Sequence, residues 1–70
     1  MAGYRVLRQV ERGGPWKITG RHYRRVREAR PHARLMARMH RGSRTVIVPE
    51  ADLVGLATVY TDIPAAAVKV

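Results

Sequence analysis

The spacing of apolar positions divides the chain into short segments. Residues 4–12, YRVLRQVER, fit two patterns. As a strand, Tyr4, Val6 and Val10 share one face, with Arg8 interrupting it; as a helix, Val6, Leu7 and Val10 form a stripe with Arg5, Arg8 and Arg12 opposite. The β-branched and aromatic content, and the Gly13-Gly14-Pro15 breaker that follows, favour a strand turning back into a second over residues 16–19. Helical spacing begins at Thr19 or Gly20, with Thr19 as N-cap and with Tyr23, Val26, Ala29 and Arg30 along one stripe. Pro31 lacks a backbone donor and crowds the preceding turn, so it is expected to end this helix and open another over residues 31–41. In that second helix Ala33, Met36, Ala37 and His40 form the inner stripe, and Gly42 suits a left-handed position after the last turn.

The clearest strand is residues 44–48, RTVIV, closed by Pro49. Residues 50–56 read as a short helical turn with Glu50 and Asp52 at its amino end, and residues 57–63 return to strand character. Residues 64–70, starting at Pro64, form a tail that is either loose or docked. The expected fold is a small α+β single domain over residues 1–70. Its order is an amino-terminal strand or hairpin, two short basic helices, then strand, short helix, strand.

Composition narrows this. Seventy residues bury a thin core, so association with a partner or a second copy is expected to add stability. With no Phe, the aromatics Tyr4, Trp16, Tyr23 and Tyr60 are wanted inside; Trp16 and Tyr23 are assigned to the core ahead of base stacking. The absence of Cys excludes disulfides, thiol catalysis and Cys-based zinc sites. No apolar run has the length of a membrane span and the amino end lacks a secretory h-region, so a soluble cytoplasmic protein without membrane attachment is expected.

Charge changes the picture most. Residues 1–44 hold 13 of the 14 Lys and Arg against two acids, a net charge of +11, whereas residues 45–70 hold Lys69 against three acids, a net of −2. Residues 21–44 alone carry nine arginines, three histidines and one acid, Glu28. A GC-rich coding sequence accounts for Arg over Lys; it does not account for base over acid. Density of this kind points to a polyanionic partner. Arg21, Arg24, Arg25, Arg27, Arg30, Arg34, Arg38, Arg41 and Arg44 are the candidate nucleic-acid contacts, with Arg34, Arg38 and Arg41 as the ordered stripe.

Catalysis and cofactors find little support. His22, His32 and His40 have neither Cys nor carboxylate at ligand spacing, so no metal is expected. Ser43, the only serine, sits in a basic turn without a nucleophile-elbow setting. Gly13-Gly14-Pro15 does not match a phosphate-binding loop. We expect neither an enzyme nor a cofactor.

Residues 41–57, RGSRTVIVPEADLVGLA, resemble the wing and closing helix of small excisionase-like, MerR-related winged helix-turn-helix proteins. The resemblance rests on Gly42, Arg44, Val46, Ile47, Val48, Pro49, Glu50, Asp52, Leu53 and Leu56, and covers roughly residues 19–56. It implies Arg24, Arg25 and Arg27 on a DNA-reading helix and Arg44 on a wing. The expected function is DNA binding by a bacterial or phage regulator or recombination directionality factor. The alternatives are a virion component or inhibitor docking on an acidic protein surface, with residues 44–48 and 57–63 joining a partner sheet, and RNA or ribosome binding.

Overall fold

The computed structural model describes residues 3–53, 59–60 and 62–70. The chain runs through strand β1 (Tyr4–Gln9), strand β2 (Trp16–Tyr23), helix α1 (Val26–Met39), strand β3 (Arg44–Pro49), a 3-10 turn (Glu50–Asp52), and short strands β4 (Val59–Tyr60) and β5 (Val68–Lys69). The strands form one antiparallel sheet in the order β4-β2-β1-β3-β5. The α+β class and the amino-terminal hairpin are as expected from the sequence, and the tail docks as β5 against β3. The expected strand over residues 57–63 is present at Val59–Tyr60; residues 54–58 and 61 lie outside the described ones.

Two features close the hairpin. Gly13 adopts a φ of 78°, and the Gln9 side chain donates from Nε2 to the Gly14 carbonyl at 2.8 Å. Further along, Leu7 pairs with Ile18 and Arg5 with His22, so Thr19, Gly20 and Arg21 all oppose Val6. This irregularity is stitched by side chains: the Thr19 hydroxyl donates to the Val6 carbonyl at 3.0 Å, and Arg5 Nη2 donates to the Thr19 carbonyl at 3.1 Å.

Both faces of the sheet are apolar. On one, Val6 and Ile47 meet Ala29 and Ala33 of α1, with Tyr4, Tyr23, Val26 and Val68 around them. On the other, Leu7, Trp16, Val46 and Val48 pack with Ile18, Leu53, Tyr60, Ile63 and Ala67. Consecutive apolar residues in β1 and β3 are what a strand covered on both sides requires. Val10, expected in the inner face of the first strand, lies beyond β1 and is exposed.

The expected pair of helices is corrected to one. Residues 19–23 belong to β2, where Tyr23 pairs with Tyr4. Thr19 is therefore a bulge residue and Arg25 is the N-cap of α1. The helix continues through Pro31, which is exposed and offers the Arg27 carbonyl no N–H. Burial of Ala29 and Ala33 on either side of the proline holds the turn against the sheet. The helix ends at Met39, short of the expected residue 41, and His40, expected on the inner stripe, is the exposed C-cap; Gly42 has the expected left-handed φ, 85°, and the His40 carbonyl accepts the Ser43 N–H at 3.1 Å.

Candidate nucleic-acid interface

Helix α1 positions the central part of the basic stretch. At about 100° per residue, Arg27, Arg34 and Arg38 fall on one stripe with Pro31, opposite the buried Ala29 and Ala33. All three arginines are exposed. From Arg27 to Arg38 the stripe runs about 16 Å along the helix axis at the usual rise per residue. Arg30 is half-buried at its margin.

The ends of the helix carry the rest. Arg24 and Arg25 are exposed in the turn that enters α1, and Arg41 is exposed in the turn that leaves it. Glu28, the one acid of the stretch, accepts the Arg25 backbone N–H at 3.1 Å and so caps the helix. Arg21 is exposed on β2, and strand alternation from Tyr23 puts it on the helix side of the sheet. None of these arginines forms an ion pair among the described residues. The carboxylate that is paired, Glu50, holds Arg5 at 3.9 Å and His22.

Arg44 departs from the group. It alternates with Val46 and Val48, which face away from α1, so the exposed Arg44 starts β3 on the opposite side of the sheet. The histidines are also dispersed. His22 contacts Glu50, His32 Nδ1 meets the Tyr23 hydroxyl at 2.7 Å, and His40 is exposed at the C-cap.

No protein-family model, no curated protein and no solved structure matches the chain. The segment that resembles a wing does run from a turn into β3 and the 3-10 turn. A helix-turn-helix, however, needs two helices, and the described residues hold one α-helix preceded by a hairpin. Of the residues the resemblance would place on a reading helix, Arg27 is inside α1, Arg25 caps it and Arg24 precedes it.

Periodicity read across Pro31 as a single helix would have joined Arg27 to Arg34 and Arg38. It was the proline that separated them. Periodicity also gave no notice of Leu35 and Met39, which α1 leaves exposed beside the arginine stripe. Arg5 was missed as well: its role is structural, and nothing in its spacing distinguishes it from the surface arginines. No helix among the described residues is long and apolar enough to cross a membrane.

Proposed function

We propose that this protein binds nucleic acid, duplex DNA in the first instance, through the outward face of α1. The observation that supports it is the row Arg27, Arg34, Arg38: exposed, without carboxylate partners among the described residues, and mounted on a helix fixed by its opposite side. A major groove about 12 Å wide admits one α-helix, and guanidinium groups there reach guanine edges or phosphates. Arg24 and Arg25 at one end and Arg41 at the other, all exposed, would contact the flanking phosphates. A bacterial or phage regulator of transcription or recombination is the biological role this would serve. The docking element is one helix on a sheet, in place of a helix pair with a wing.

The test is binding to duplex DNA across salt concentrations. With about five phosphate contacts, log K is expected to fall against log salt with a slope of about −4 to −5. Arg34→Gln and Arg38→Gln are each expected to weaken binding and to make the slope shallower by about one where the lost contact is a phosphate. Affinity that does not change between low and physiological salt rules the proposal out. Structured RNA at matched salt is the competitor that separates the two nucleic acids.

Leu35 and Met39 favour a second reading, an acidic protein partner with an apolar centre. Such a partner would survive nuclease treatment as a stable complex on size-exclusion chromatography, with no co-purifying nucleic acid. Sheet addition through residues 44–48 would in this reading have to displace β5, which pairs with β3 at Val46 and Ile47.

A further inference from the structure

At the margin of the sheet where β3 begins and β5 ends there is a cavity of about 470 Å³. Its lining includes Trp16, Ser43, Arg44, Thr45, Ile63 and Lys69. The volume lies in the range of about 300–1,000 Å³ typical of small-molecule sites. Strand β5 pairs with β3 at Val46 and Ile47.

Two cations line the cavity. Lys69 sits opposite Val46, and Arg44 is two residues earlier on β3, so the pair are diagonal neighbours on the same face of the sheet. Diagonal neighbours are about 7–8 Å apart at the backbone, within reach of long side chains. Neither forms an ion pair among the described residues, and both line the cavity. The walls add a second character. Trp16 and Ile63 are apolar. Ser43 directs its own hydroxyl proton to the His40 carbonyl.

We propose that this cavity binds a small aromatic phosphate of the size of a nucleoside monophosphate. Its phosphate lies between Arg44 and Lys69 and its ring against Trp16 and Ile63. Two cations suit the charge of a phosphate better than that of a single carboxylate. The site shares no residue with the arginine row of α1, so it stands or falls independently of DNA binding.

Trp16 is the only tryptophan in the chain and reports on the cavity directly. Titration with adenosine 5′-monophosphate is expected to change Trp16 emission saturably and to shift the Ser43, Thr45 and Lys69 amide resonances. Adenosine alone and inorganic phosphate alone are expected to bind at least about tenfold more weakly, each lacking half of the contacts. Arg44→Gln and Lys69→Gln are each expected to weaken binding about tenfold, the loss typical of one charged hydrogen bond. The amide spectrum checks that each variant is folded; if Arg44→Gln is not, Lys69→Gln decides. The proposal is overturned by an absence of saturable change up to millimolar nucleotide, by affinity insensitive to the substitutions, or by inorganic phosphate binding as tightly as the nucleotide.

Discussion

Gly3 illustrates how much one position can decide. Its carbonyl accepts the Glu50 N–H at 2.8 Å, which ties the start of the chain to the 3-10 turn. A methyl group at Gly3 would run into the Tyr23 carbonyl oxygen and the His22 ring. That carbonyl belongs to a paired strand, so it has little room to withdraw. Gly3→Ala is expected to cost about 1–3 kcal/mol of stability through overpacking, measured as a lower urea midpoint. An unchanged midpoint would show that the strand gives way freely. Glu50 belongs to the same knot, because it faces both Arg5 and His22. Its carboxylate is 40% exposed, so solvent screening keeps these pairs to a modest contribution. None of this was legible in the sequence. Arg5 sits in a row of arginines at similar spacing, and only the sheet register turns it toward Glu50.

At the scale of elements, β-rich segments were the easiest to read and the basic stretch the hardest. Strand β3 is a run of β-branched residues between turn formers, which leaves little freedom. The amino-terminal half of the basic stretch carries mixed signals. Tyr23 and Val26 have helical spacing, yet Tyr23 pairs with Tyr4 and ends a strand. Pairing partners distant in sequence settled what local spacing left open. Pro31 misled for a related reason. Its cost in a helix interior is real, but Ala29 and Ala33 bury the turn around it and the helix continues. The proline is therefore expected to be a net burden on stability. Pro31→Ala should raise stability by about 1–3 kcal/mol, because an exposed interior position regains a hydrogen bond and helix propensity. Calorimetry checks the sign; a fall in melting temperature would mean that the proline's rigidity outweighs the lost bond. The candidate interface was half legible. All of its arginines were named from charge, but their grouping changed: Arg27 joins Arg34 and Arg38, and Arg44 moves to the other side of the sheet.

Across the whole molecule, the carboxyl-terminal residues act as guards. Strand β4 covers the outer edge of β2 at Trp16 and Lys17, strand β5 covers that of β3 at Val46 and Ile47, and Leu53, Ile63 and Ala67 shield the sheet face opposite α1. Uncovered edges are templates for pairing with another chain. A chain ending at residue 53 is expected to associate as its concentration rises, seen by light scattering. A monomer with an unchanged amide spectrum would show that the edges are protected by other means.

The strand order carries a further consequence, for the chain as it is made. The middle of the sheet is the first strand synthesised and its rims are among the last, so the order of birth runs outward. Tyr4 waits for Pro49 to emerge before its second neighbour exists. At translation rates of about 5–20 residues per second, that leaves β1 half-paired for several seconds. Throughout that interval Val6 and Leu7 have β2 beside them but not β3, ahead of a dense block of arginine.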